Sequence, residues 1–264
     1  MKKIFKWILQ RFGYRVVSNA KTQKGNYRQV LDHELLELDT NILEYIRPNT
    51  MISNFRLKNI ERIVQYISDA GIKGDIVECG VWKGGAGAMM AYALKNKTSR
   101  AIHLFDIFDD IVEPDKEIDG KRAIEFVGGE QNARGQLKPI KGIYDEKGGH
   151  GNENHVFDLI ANKIGYPEEL IRIHKGLFQD TLPGNSIEKI SFLRLDGDWY
   201  ASTKVCLEYL YPKLVKGGVV VIDDYMTYEG CKKAVDEFLN NNNIPPFIEW
   251  VDHECIYWIK TEEV

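Results

Sequence analysis

Two short apolar runs in this chain end abruptly in carboxylates: Ser191-Phe-Leu-Arg-Leu-Asp196-Gly-Asp198 and Gly217-Gly-Val-Val-Val-Ile-Asp223-Asp224. An apolar run rich in β-branched residues is how a buried parallel strand reads, and the C-terminal tips of such strands are where open α/β sheets bind ligands. Adjacent strand ends would therefore gather three or four acids. Gathered carboxylates repel one another unless a cation stands between them, and an all-oxygen set favours a hard ion, Mg²⁺ or Ca²⁺, over zinc. A single pair could simply cap the following helix; two pairs on neighbouring strands favour the ion. Trp199, Tyr200, Tyr225 and Tyr228 border the acids. Aromatic faces line carbohydrate and phenol pockets, so Tyr200 and Tyr225 are candidate substrate contacts, with core packing the competing role for Trp199.

A second constellation lies upstream. Gly74-Asp-Ile-Val-Glu78-Cys-Gly80-Val81-Trp82-Lys-Gly84-Gly85 reads as strand, glycine turn and helix start. Gly80 would let the backbone approach a ligand closely, and Gly84 with Gly85 would let the turn tighten into the helix. The spacing is not the G-x-G-x-x-G of dinucleotide sites, which seats a pyrophosphate at a helix N-terminus. Glu78 precedes the first glycine; an acid there disfavours phosphate and suits the cationic aminoacyl end of S-adenosylmethionine. The next strand ends in Phe105-Asp106, whose carboxylate could accept from both ribose hydroxyls; Asp109 and Asp110 read as solvated loop acids. In Gly176-Leu-Phe178-Gln179-Asp180, an aromatic and an amide could hold an adenine, although packing of Phe178 and capping by Asp180 account for them equally well. His150 and His155 could serve as an alternative base, but lone loop histidines are ordinarily solvated and are left out of the catalytic set.

These residues need a scaffold. Helical periodicity in Ile52, Phe55, Leu57, Ile60, Ile63, Val64 and Ile67 predicts a helix over 51–70. Strands are predicted at 75–79, 101–105, 171–174, 190–195, 219–222, 247–251 and 256–260, with helices at 85–95, 156–164, 202–214 and 229–239. The last two strands are too close for a crossover helix and should form an antiparallel hairpin. Seven strands closing in a hairpin is the tally of a class I methyltransferase, a doubly wound, Rossmann-like α/β sheet. The glycine-rich, charged stretch from 108 to 154 reads as one long irregular segment on the ligand-binding edge, a lid or a solvated insertion.

The 264 residues accommodate one large α/β domain at 47–264 behind an N-terminal extension at 1–46. With 35 basic against 39 acidic residues, the net charge of −4 offers no footprint for nucleic acid. Cys79, Cys206, Cys231 and Cys255 form no C-x-x-C pair, as expected of reduced, buried thiols in a cytoplasmic protein. At the N-terminus Ile4, Trp7, Ile8 and Phe12 share one helical face beside Lys2, Lys3, Lys6 and Arg11. That arm would pack on the body, join two copies in a homodimer or higher oligomer, or lie against a membrane surface.

Four blocks, Glu78 to Gly85, Leu195-Asp-Gly-Asp-Trp-Tyr200, Val221-Ile-Asp-Asp-Tyr225 and Trp250-Val-Asp with Tyr257-Trp258, occur in the order seen in the macrocin O-methyltransferase family, which the chain resembles from about Arg47 to Lys260. More distantly, Gly176 to Asp180 resembles a block of catechol O-methyltransferase. The resemblance implies a class I fold, S-adenosylmethionine as methyl donor, and Mg²⁺-dependent methylation of a sugar hydroxyl on a small-molecule acceptor. Carried over by position, Asp196, Asp223 and Asp224 would hold the metal and Asp198 would be the general base. Thr50 and Met51 match the cofactor-facing segment, and Val81 and Trp82 belong to the cofactor-binding block. From Gly128 to Gly151, and around His253, no family pattern is matched, and the acceptor is therefore open. Two other activities fit the same residues: methylation of a phenolic diol, and cofactor binding without catalysis.

Overall fold

A computed structural model of the protein describes residues 38–262 apart from 96 and 98; the amphipathic arm at residues 1–16 lies outside them. The chain divides at Thr40, and apart from Thr40 itself every residue discussed below belongs to the compact unit Asn41–Val264. A seven-stranded sheet runs through it in the order β3-β2-β1-β4-β5-β7-β6. Its strands are β1 (Asp75–Cys79), β2 (Ile102–Asp106), β3 (Ile171–Lys175), β4 (Ile190–Leu195), β5 (Leu214–Ile222), β6 (Glu249–Trp250) and β7 (Ile256–Ile259). The first five pair in parallel, whereas β7 enters antiparallel between β5 and β6. The doubly wound sheet with a terminal hairpin is thus present.

The helices are α1 (Thr40–Ile46), α2 (Asn54–Asp69), α3 (Gly85–Leu94), α4 (Gly120–Phe126), α5 (Glu153–Asp158), α6 (Phe178–Thr181), α7 (Tyr200–Leu210) and α8 (Glu229–Asn241). Helix α2 starts later than periodicity alone predicts because Ser53 caps it, accepting from the Arg56 amide at 3.3 Å. Its apolar stripe, Leu57, Ile60, Ile63, Val64 and Ile67, is buried. The helix expected at 156–164 begins at Glu153 and widens into a π-helical turn over Leu159–Ile164. Strand β6 is shorter than expected, Glu249–Trp250 alone, and Phe247 ahead of it stands 81% exposed. Among the described residues no helix is long and apolar enough to cross a membrane.

The main departure from expectation lies between 108 and 154. This stretch is not irregular: it carries α4, 3-10 turns at Glu130–Asn132 and Asp145–Lys147, and β-bridges joining Val112 to Pro139 and Asp115 to Arg134. Ile111, Val112, Ala123, Val127, Ala133 and Tyr144 enter the hydrophobic core beneath it. A seven-residue helix between glycine turns is too short for periodicity to register, which is why the sequence reads as loop. Asp119 fastens the stretch to the site, accepting from the Tyr200 and Asp115 amides at 2.7 Å each. Nearby, the Trp199 indole donates to the Val112 carbonyl at 2.9 Å.

Candidate active site

Register sets the site's foundation. Glu78 on β1 lies opposite Arg194 on β4, which lies opposite Val221 on β5, so the strand tips finish level. Hydrogen bonding continues one step past the strands, from the Gly80 amide to Phe105, from Asp196 to Cys79 and from Asp223 to Leu195, each at 2.9 Å. Gly80 has φ +88°, and a Cβ there would stand 1.8 Å from the Asp196 carbonyl oxygen. Only glycine lets the first turn pass so close to the acid-bearing loop. Trp82 also takes a left-handed φ of 48°. Asp106 holds this turn, accepting through Oδ2 from the Val81 and Trp82 amides at 2.6 and 3.0 Å and through Oδ1 from Phe108 at 2.6 Å. A carboxylate offers about four lone-pair sites, so Asp106 retains capacity for one further donor, not for both hydroxyls of a ribose.

Ten of the expected residues line one cavity of about 280 Å³: Met51, Gly80, Trp82, Asp106, Phe178, Gln179, Asp196, Asp198, Asp223 and Asp224. Thr50, Val81, Gly84 and Gly85 stand behind its wall; a Cβ on Gly85 would meet the Asn49 carbonyl and Thr50 Cβ at 2.6 Å each, so these residues press the segment before α2 onto the start of α3. Glu78 is a correction. It lies off the cavity wall, 1% exposed, with Oε1 accepting from Arg194 Nη1 at 2.8 Å and Oε2 buried without a partner. The strand register makes it Arg194's neighbour, and that guanidinium stands between it and the cavity acids Asp196 and Asp223. Burial pushes its carboxyl up to about 8, against the pull of Arg194.

Arg194, buried to 1% exposure, is shared by three acids, its Nη2 reaching Asp196 at 3.0 Å and Asp223 at 2.6 Å. Arg56 grips the other Asp223 oxygen at 2.5 Å and continues to Asp252 at 2.8 Å and Glu254 at 3.0 Å. Both Asp223 oxygens are thereby engaged. Asp196, Asp198 and Asp224, by contrast, each bring one carboxylate oxygen to within 4.8 Å of the others. Asp198 takes a left-handed φ of 59° to do so, and Asp224 Oδ2 is buried without a partner. Burial, followed by the neighbouring carboxylates, pushes Asp198 and Asp224 well above the usual carboxylate range. Oxygens sharing one hard cation lie at most about 4 to 5 Å apart, so Asp196 and Asp224 fit such an ion with Asp198 beside it, whereas Asp223, expected among the ligands, is taken up by the two arginines.

The aromatic wall differs from expectation too. Tyr200 and Tyr225 do not line the cavity: their hydroxyls donate to Glu237 and Asp236 of α8 at 2.7 Å each. Tyr200 opens α7, where its side chain lies along the outer surface against that neighbouring helix. The wall is built instead by Trp199, Tyr228, Phe126 and Tyr144. Trp199 and Tyr228 meet edge to face at 4.7 Å, and Tyr144 tilts against Trp82 at 6.1 Å. Tyr144 carries no sequence signal, because only the fold of 108–154 brings it to the acids. Lys147, from the same stretch, also lines the cavity.

A parallel sheet with one antiparallel strand inserted near its edge, and acids at the tips of β1, β2, β4 and β5, defines the class I O-methyltransferases. Within that class the chain matches the macrocin-O-methyltransferase (TylF) pattern over residues 15–132 and 152–260. It is 34% identical to the demethyldecarbamoylnovobiocin O-methyltransferase of Streptomyces niveus, over 92% of this chain and 85% of that one. With the mycinamicin III 3''-O-methyltransferase of Micromonospora griseorubida it shares 28% identity over 80% of this chain and 78% of that one. Among solved structures, the O-methyltransferase NovP superposes with a TM-score of 0.66 at 33% identity, covering 81% of this chain and 83% of its own. The chain belongs to the macrocin O-methyltransferase family and is an O-methyltransferase. The unmatched interval, 133–151, falls inside the stretch where no family pattern is legible in the sequence.

Proposed function

We propose that the protein transfers a methyl group from S-adenosylmethionine to a sugar hydroxyl of a small-molecule acceptor, with Mg²⁺ bound at the Asp196 and Asp224 carboxylates. The observation that carries this reading is the convergence of the glycine turn, Asp106 and the three-acid cluster on one cavity. The acceptors in the two relatives' names, demethyldecarbamoylnovobiocin and mycinamicin III, support a sugar-bearing natural product as acceptor.

S-adenosylmethionine, when bound, would supply an already activated methyl group, and a hard ion held by Asp196 and Asp224 would supply acidity to the attacking hydroxyl. The protein's task is then to hold two reactants in line and take up one proton. Asp106 clamps the Gly80–Trp82 turn, with one lone pair remaining for a ribose hydroxyl. Phe178 and Gln179, at the start of α6, offer an aromatic face and an amide to the adenine. Asp198, on the cavity wall beside Asp196 and Asp224, accepts the proton of the attacking hydroxyl. Asp223 orients Asp196 through the Arg194 they share. The aromatic wall excludes water from the reacting oxygen.

The test is a methyl-transfer screen of nucleotide sugars, glycosides and phenolic diols, run with Mg²⁺ and after chelation, with mass spectrometry detecting methylated product. Sugar methylation that stops on chelation is the expected result. Turnover of phenolic diols alone would assign the catechol-type reaction, and cofactor binding without turnover of any diol would make the protein a binding module.

A further inference from the structure

Two phenols of the aromatic wall lack what the other buried tyrosines have. The hydroxyls of Tyr166, Tyr211 and Tyr225 each donate to a carbonyl or carboxylate. Those of Tyr144 and Tyr228 bond to none of the described residues, although the side chains are only 8% and 7% exposed and both line the cavity. Their rings are held in place, Tyr228 between Trp199 and Phe126 at 4.7 and 6.4 Å and Tyr144 against Trp82 at 6.1 Å. A fixed, buried ring with an unpartnered hydroxyl on a cavity wall points its donor at whatever fills the cavity. Asp198, Asp196, Asp106 and Asp224 line the same cavity. Both phenols thus share that cavity with the proton-accepting acid and reach it from different elements, Tyr144 from the 108–154 stretch and Tyr228 from the N-cap position of α8.

The chemistry of a sugar requires such groups. Ionised carboxylates only accept hydrogen bonds, whereas the oxygens flanking a reacting hydroxyl also need donors. Burial and the nearby carboxylates hold both phenols protonated, hence as donors. We propose that Tyr144 and Tyr228 form a donor pair that orients the acceptor sugar over Asp198, each hydroxyl bonding an oxygen adjacent to the one methylated, and so select which hydroxyl reacts. The inference rests on the sugar reading above. Tyr228 lies within the family match, whereas Tyr144 lies in the 133–151 interval between the two matched blocks.

Tyr144→Phe, Tyr228→Phe and the double variant remove the hydroxyls and keep the rings. With thymidine diphosphate rhamnose and 4-nitrophenyl rhamnoside as acceptors, each single variant should raise the acceptor KM roughly five- to tenfold, the size of one neutral hydrogen bond. The double variant should also yield a mixture of methylated positions by NMR where the wild type yields one. Calorimetric affinity for S-adenosylmethionine should not change. Wild-type KM and a single product position in the double variant would overturn the pair, and so would a parallel loss of S-adenosylmethionine affinity, which would place the phenols on the donor side. If neither is methylated, the same variants are read on a sugar that the screen above identifies; a wild-type enzyme that methylates no sugar in that screen would overturn the sugar reading itself and this inference with it.

Discussion

Asp198, Asp223 and Asp224 lie within one loop's reach of each other, yet the structure separates their roles. Asp198→Asn removes the proton acceptor while retaining its shape, so turnover should fall by at least about a hundredfold, the usual contribution of a positioned base, with S-adenosylmethionine affinity by calorimetry unchanged. A near-normal rate would move the base elsewhere. Asp224→Asn should weaken Mn²⁺ binding, followed by electron paramagnetic resonance, more than Asp223→Asn does, because Asp223 is engaged by two arginines. The reverse order would restore Asp223 to the metal set. Asp223→Asn should instead act on stability: it strips a charge from between Arg56 and Arg194 at a buried site, a loss of about 3 kcal/mol in urea unfolding. Gly80→Ala should fail outright, since the new Cβ meets the Asp196 carbonyl and the backbone is left-handed there.

At the scale of elements, the tips of β1, β2, β4 and β5 hold the chemistry, and the β2–β3 edge holds a pH response away from it. On that edge His103 and His174 approach to 3.1 Å between ring nitrogens, with the His174 ring stacked on Phe105 at 4.0 Å. Burial, then His103 and Arg172, lowers the His174 pKa from 6.5 to about 4. Between those values the unfolded chain binds the proton that the folded one refuses, so stability rises with pH through this window and is lost as pH falls from about 6.5 toward 4. Replacing His174 with Gln should flatten that part of the urea-midpoint profile relative to wild type; parallel profiles would show that His174 plays no part in it.

Across the whole molecule, the stretch from 108 to 154 has a bolted and a lighter half. Its first half is fastened through Asp119, Trp199 and the core, whereas the turns near Gly148 are held to the glycine turn by Lys83, whose ammonium donates to the Lys147 and Gly148 carbonyls at 2.8 and 3.0 Å. Within this half the buried Tyr144 is anchored, its amide and that of Gly142 donating to Asp110 at 3.4 and 3.0 Å, so the exposed turns on either side of Tyr144 open most readily. Limited proteolysis should therefore cut between 128 and 151 in the free protein and slow when donor and acceptor are both bound, as expected of a closing lid. Cleavage unchanged by saturating ligands would make the segment a fixed wall.

What was legible in the sequence is local in origin. Apolar runs ending in acids, a glycine turn and a closing hairpin announce strands and their tips through period, length and turn chemistry, and all seven strands, the cluster of Asp196, Asp198 and Asp224, and the place of Asp106 follow from them. Direction is not local. Glu78 is engaged by Arg194, which comes from β4; whether Asp223 is open to an ion depends on Arg56, which arrives from α2; and Tyr144 replaces Tyr200 and Tyr225 on the aromatic wall because 108–154 folds back onto the core. The sequence by itself determined the sheet and the acids at its tips, because strand period and turn residues are written in neighbours along the chain. Only the tertiary structure decided which of those acids are free to act, because that depends on charged and aromatic side chains brought in from distant segments.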